Sequence, residues 1–240
     1  LLCARRRRAG RRLLPAHGAR PAVVGPFEPN WLVERIAARH IEVAAARWGA
    51  GRTLDVGCGA QPYAPLFADY TGLEYDLRRY AQTVPAVCGS ALELPFAANS
   101  FDTVFSSQVL EHVPEPWRML EEMARVLKPG GYLILSAPHI WGLHEVPHDY
   151  FRFTCYGLEY LAQRAGLETI EVRPMAGYWV TAGTRFCYYL RRFQRRLFGP
   201  FMGPVYAIVH AMSWALDRLH RVDSDAWNYL MVARSPEPEA

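Results

Sequence analysis

Apolar residues recur at near-helical spacing from Trp31 to Trp48, with Leu32, Ile36 and Ile41 among an alanine cluster, and Gly49 and Gly51 follow. This predicts an amphipathic helix with a glycine stop. The pattern then changes to short apolar runs: RTLDVGCG, TGLEYDL, FDTVFSS (101–107) and GYLILSAP (131–138). Such runs predict strands, the last of them buried on both faces. Between them PEPWRMLEEMARVL (114–127) puts Trp117, Leu120, Met123, Ala124 and Leu127 on one helical face, with Lys128, Pro129, Gly130 and Gly131 as its stop. TCYGLEYLAQRAGL predicts a second helix with Thr154 as N-cap and Gly166 at its C-terminal end, and ETIEVRP and WNYLMVARS predict two more strands. Strands alternating with helices give an α/β fold with a mainly parallel sheet and helices on both faces.

Residues 182–222 break the alternation. Phe186, Tyr189, Leu190, Phe193 and Leu197 form an apolar stripe, and Arg185, Arg191, Arg192, Arg195 and Arg196 fill the positions around it. A second stripe follows: Val205, Ile208, Val209, Met212, Leu216 and Leu219. Its apolar part, 201–216, falls short of the roughly 20 residues of a spanning helix and contains His210. The stripes fit either a cap or dimer contact on the sheet, or peripheral contact with an anionic membrane through 185–219. The expected organisation is an Arg-rich disordered tail (1–26), a core (27–181), a helical insertion (182–222), a final core strand (223–234) and a short tail (235–240).

Composition narrows the reading. A chain of 240 residues with 51% apolar content can bury one sizeable core. The formal charge of +4 comes from seven arginines in 1–26, so the rest of the chain is net acidic and nucleic acid is not a favoured partner. That Arg-rich stretch lacks the apolar run of a signal peptide, and a transit peptide or phosphate-binding arm are its alternatives to a plain tail. The five cysteines are widely spaced without C-x-x-C, which predicts neither a disulfide framework nor a cysteine zinc site and suits a reducing, cytoplasmic setting.

LDVGCGAQPY (54–63) carries the first chemistry. Gly57 and Gly59 allow a sharp bend after the first strand and close approach of a ligand, whereas Pro62 stands where a dinucleotide fingerprint needs its third glycine. Leu54, Asp55, Val56, Gly57, Cys58 and Gly59 resemble the first motif of class I S-adenosylmethionine-dependent methyltransferases. GSALELPFAANSFDTVFSSQVLEHV (89–113) and LKPGGYLILSAP resemble the type-11 methyltransferase group, over about residues 45–175 and, more faintly, the final strand. The resemblance implies a Rossmann-like seven-stranded, mostly parallel sheet, its last strand antiparallel, with S-adenosyl-L-methionine across the carboxyl ends of the first strands. It also implies the cofactor-binding residues: Asp55, Gly57, Cys58 and Gly59 in the bend, and Glu74 at the ribose with Tyr75 beside it and Asp76 as the alternative clamp. Ser90, Ala91 and Leu92 would lie at the adenine, and Gln108 after the fourth strand. The chain departs from the pattern at Ser90, where the group often has Asp, and near Gln61, where the motif's third glycine is missing.

HEVPHDYFRFT (144–154) begins like a zinc-protease string, but Pro147 disfavours the helix that would bring His144 and His148 onto one face. No metal site is expected. The segment follows the fifth strand and so emerges at the ligand-binding edge; it also resembles H-x-x-P-x-D-Y-x-R-F-T strings of type-11 methyltransferases. His148 first and His144 second are the candidate bases, with Asp149 orienting an imidazole; the structural alternative is an Asp149–Arg152 pair in a lid. His112 reads as a helix-start or pocket-wall residue rather than a catalytic one. The expected function is methyl transfer to a small-molecule or lipid-linked acceptor, through oxygen. The alternatives are a non-catalytic, membrane-associated scaffold of the same fold and a zinc hydrolase. Oligomeric state is left open.

Overall fold

The computed structural model describes residues 25–76, 87–193 and 199–237. Most of the Arg-rich tail, the last three residues, and Arg195, Arg196 and Leu197 of the first stripe lie outside them. The elements in chain order are α1 (Trp31–Trp48), β1 (Arg52–Val56), β2 (Asp69–Glu74), β3 (Val87–Cys88), β4 (Phe101–Ser107), α2 (Pro116–Val126) and β5 (Leu127–Pro138). There follow α3 (Cys155–Arg164), β6 (Glu168–Pro174), α4 (Tyr178–Leu190), α5 (Gly199–Leu219) and β7 (Asn228–Arg234).

The strands form one seven-stranded sheet in the order β3-β2-β1-β4-β5-β7-β6. β1 to β5 pair in parallel, and β7 runs antiparallel between β5 and β6. Successive side chains of a strand face opposite ways, so a sheet covered on both sides needs apolar residues throughout. Val104, Leu133, Leu135 and Met231 accordingly join Met119, Met123, Leu158 and Leu161 under α2 and α3. Phe105, Ile134 and Leu230 join Leu32, Ile41 and Val180 under α1 and α4.

Local signals act where they were expected, with two adjustments. Thr154 Oγ1 accepts the Gly157 N–H at 3.0 Å, and Gly166 takes a left-handed φ of +77° just beyond α3. Lys128–Gly131 is not a loop: β5 already begins at Leu127, which pairs with Phe101, and the irregularity between Phe101 and Thr103 absorbs the extra residues. The helical region also starts at Tyr178 rather than at 182.

The apolar stripes of that region are not its buried faces. α5 buries Tyr206, His210, Ser213 and Asp217, and turns Ile208, Met212, Trp214 and Leu219 outward. α4 buries Val180, Thr181, Thr184 and Cys187, and leaves Phe186 and Tyr189 exposed. The reason lies in backbone groups that need partners. Asp217 accepts the Gly177 N–H at 3.1 Å, at the start of α4, and His210 Nε2 donates to the Glu28 carbonyl at 2.9 Å. No helix among the described residues is long and apolar enough to cross a membrane.

α4 and α5 approach closely at Gly183, where a β-carbon would lie 1.8 Å from Ser213 Oγ. Gly183→Ala should therefore lower unfolding free energy by about 1–3 kcal/mol in urea denaturation. In a Ser213→Gly background the same change should cost little, because the obstructing side chain is gone.

Candidate active site

The bend after β1 is built by backbone hydrogen bonds to the end of β2. Gly57 and Cys58 N–H donate to Leu73 O at 2.8 and 3.0 Å, and Gly59 N–H donates to Glu74 Oε2 at 3.0 Å. Gly57 (φ +76°) and Gly59 (φ +51°) supply the left-handed angles, and a β-carbon on Gly57 would meet Val109 Cγ2 at 2.4 Å. Tyr75 and Asp76 N–H donate to Glu74 Oε1 at 2.9 and 3.3 Å. A carboxylate accepts about four hydrogen bonds, so Glu74 has capacity left for an external donor. It stands at the carboxyl edge of the sheet where the strand order reverses about β1, the place where open parallel sheets bind ligands.

Other predicted cofactor contacts take different positions. Cys58 turns inward over Gly72 with 4% exposure, and burial, aided by Asp55 and Glu74, pushes its thiol up to about 12, so it presents backbone only. Asp55 is 2% exposed and accepts from the Tyr70 hydroxyl at 2.7 Å. Burial raises its carboxyl to about 7, against the Tyr70 hydrogen bond and with help from the Glu74 charge. Asp55 is thus paired with Tyr70 inside the fold, one residue ahead of Val56 and the bend. Tyr75 is 73% exposed, next to Glu74. Ser90 Oγ accepts the Leu92 N–H at 3.1 Å, and Ala91 and Leu92 are half-buried beyond β3. Gln108 has φ +58°; its backbone N–H donates to Ser136 O at 3.1 Å and its side-chain amide to Ser136 Oγ at 3.2 Å.

The segment after β5 forms turns rather than a helix between His144 and His148, so the two histidines do not share a helical face and the zinc-protease geometry is absent. His144 instead meets the turn after β4. Its Nε2 lies 3.8 Å from Glu111 Oε1, as does His112 Nε2, and the two imidazoles pack edge to face with centroids 4.8 Å apart. Glu111 is fully buried, neither of its carboxyl oxygens has a hydrogen-bond partner, and burial pushes its pKa up to about 8. Burial lowers that of His144.

Asp149 makes the pair with Arg152 that the sequence offered as its structural alternative. Arg152 donates to both its oxygens, at 2.6 and 2.8 Å, and the His144 N–H donates to Oδ2 at 2.9 Å. Burial opposes ionisation, yet these donors hold its pKa at about 2. Asp149 Oδ2 lies 3.4 Å from His144 Nδ1, whereas exposed His148 has its Nδ1 3.1 Å from the Tyr150 hydroxyl. The expected orienting contact therefore falls on His144, not His148. Glu111 was missed from sequence. The available signal was an acid beside a histidine between apolar residues in VLEHV, one turn past a buried strand.

Residues 54–135, from β1 through most of β5, match a family model described as a methyltransferase domain. The chain is 43% identical over 109 residues to an uncharacterised methyltransferase of Mycobacterium leprae (strain Br4923), covering 39% of this chain and 40% of that protein. The chain thus spans about two fifths of the length of that curated relative. Among solved structures the chain resembles the cyclase SpnF, with a TM-score of 0.57, 22% identity and coverage of 96% and 100% of the two chains. It also resembles phosphoethanolamine N-methyltransferase 2 of Haemonchus contortus in complex with S-adenosyl-L-methionine, with a TM-score of 0.53, 20% identity and coverage of 90% and 58%. At such identities the likeness is one of fold.

Asp55 offers a pH signature at the end of β1. A carboxyl raised to about 7 in the folded chain, from an ordinary 3.8, lends stability below pH 4 that is lost as pH rises through 7. The stability of the wild type relative to Asp55→Asn should fall between pH 4 and pH 8 by up to about 4 kcal/mol in urea denaturation. A constant difference across that range would show that Asp55 ionises freely in the fold.

Proposed function

We propose that this chain is an S-adenosyl-L-methionine-dependent methyltransferase acting on a small-molecule or lipid-linked acceptor through oxygen. The observation that carries this reading is the glycine bend tied to Glu74 at the switch point of the sheet. There a carboxylate with spare accepting capacity faces a stretch of backbone in which two glycines lack β-carbons and the Cys58 side chain turns inward, which fits a ligand with a pair of neutral hydroxyls and an extended body. In the proposed complex Gly57, Cys58 and Gly59 line the ligand with backbone, Glu74 accepts from the ribose, and Ser90, Ala91 and Leu92 flank the adenine. Tyr75 and Gln108 border the same edge, while Asp55 stays inside the fold, paired with Tyr70.

When bound, the sulfonium supplies a methyl group with a neutral thioether as leaving group, so the chain's task is chiefly alignment and exclusion of water. The acceptor side is proposed to be the wall formed by Glu111, His112 and His144. Asp149 and Arg152 hold that wall from behind, and His148 stands at its rim. Calorimetric titration with S-adenosylhomocysteine should give one site, weakened about tenfold or more in Glu74→Gln. No heat at millimolar ligand would remove the reading. Binding without transfer of radiolabelled methyl to any component of a lysate would favour a non-catalytic scaffold.

The lipid-linked class of acceptor gains support from the outward faces of α4 and α5. Phe186, Tyr189, Phe201, Ile208, Met212 and Leu219 are exposed there; the sequence of 178–222 carries seven arginines against one acid, Asp217, which is buried. Such a surface suits the boundary of an anionic bilayer. The protein should co-sediment with phosphatidylserine-containing vesicles more than with phosphatidylcholine vesicles, and Arg191→Glu with Arg192→Glu should reduce the bound fraction. Equal binding to both lipids would count against an electrostatic contact.

A further inference from the structure

Three side chains converge at the carboxyl edge from two neighbouring strands. Glu111 and His112 stand in the turn Leu110–His112 after β4, and His144 stands in the loop after β5. One ligand atom from each lies within 4.8 Å of the others. We propose that Glu111, His112 and His144 form a divalent transition-metal site, with zinc as the ion best suited to it.

The proton arrangement supports this. His112 Nδ1 lies 2.5 Å from the His148 carbonyl, an atom that can only accept, so Nδ1 carries a proton, and Nε2, 3.8 Å from Glu111 Oε1, is the nitrogen left to serve as a ligand. His144 Nδ1 has the Gly142 carbonyl at 3.2 Å, Asp149 Oδ2 at 3.4 Å and the donor Arg152 Nη2 at 3.4 Å; with two acceptors, the nearer contact among them, the ring protonated at Nδ1 is the form that leaves Nε2 able to ligate. Three potential ligand atoms thus lie together at one edge of the sheet. The 3.8 Å separations exceed any hydrogen bond, so a proton shared directly between these atoms does not link them.

Arg152, the cation beside the cluster, donates to Trp141 O, Gly142 O, Phe151 O and Asp149 and has Nη2 3.4 Å from His144 Nδ1; its charge acts on Glu111 without a hydrogen bond to it. Ligand atoms bound at about 2.0–2.1 Å in a tetrahedron sit roughly 3.3 Å apart, so small side-chain rotations would close the set around an ion. Two imidazoles and one carboxylate suit zinc and its first-row neighbours better than magnesium or calcium, and three protein ligands leave a position open. Hydrogen bonds from each ring's far nitrogen to a carbonyl or carboxylate are the usual support of metal-bound histidine. Both histidines are part-exposed, at 17% and 20% of their side chains, which gives an ion a way in.

The site is not the one that the H-E-x-x-H string suggests, since it uses His144 without Glu145 or His148. Nor does it depend on the methyl-transfer reading, because its test measures metal alone. Full chain stripped with chelator and titrated with zinc chloride should bind one equivalent and gain thermal stability. Glu111→Gln and His112→Gln, both near in size to the original residues, should each weaken zinc at least tenfold. His148→Ala, which removes a ring but keeps the supporting carbonyl, should retain the affinity. Cobalt(II) should give a visible spectrum with imidazole ligation in the wild type that Glu111→Gln alters. Less than a tenth of an equivalent bound, affinity unchanged in Glu111→Gln and His112→Gln, or zinc lost in His148→Ala would each overturn the proposal.

Discussion

Three consecutive amides, those of Gly57, Cys58 and Gly59, converge on the last two residues of β2. This convergence fixes the path of the chain between β1 and the ligand edge, and most of the site geometry depends on it. It requires left-handed angles at both glycines, room beside Val109, and a carboxylate at position 74 long enough to reach the third amide. The same bonds cover polar backbone that would otherwise be stranded beside Asp55, itself buried and held by Tyr70. A bend built this way is rigid before any ligand arrives, and so it spends no binding energy on ordering the loop.

The features read correctly from sequence are those determined locally. Two glycines after an apolar run, a threonine ahead of a helix, and a strand buried on both faces each follow from the preferences of a few neighbouring residues. The triad of Glu111, His112 and His144 is of another kind. It exists because β4 and β5 are adjacent and parallel, so the turns that follow them open on the same edge. Nothing in HEVPHDYFRFT by itself discloses that His144 looks back across the sheet edge while His148 looks away.

The helical pair shows a second limit of periodicity. A stripe of Ile208, Met212 and Leu219 invites the inference that it faces the core, yet the core side is taken by Tyr206, His210, Ser213 and Asp217. Unpaired backbone groups at Gly177 and Glu28 needed hydrogen-bonding partners, and long-range polar contacts met that need. Hydrophobic pattern measures what water disfavours; it does not record which backbone groups lack partners elsewhere in the fold.

The position of β7 bears on how the molecule assembles. β6 reaches the sheet only through β7, which sits between it and β5 although it is the last strand in the chain. During synthesis β1 to β5 can associate early, but β5 presents an unpaired edge, and β6 has no lattice to join, until residues 228–234 have emerged. That interval leaves a long apolar ribbon, β5, open to pairing with another nascent chain. Folding yield should therefore be governed by the late arrival of a central strand, a kinetic burden that the finished structure conceals.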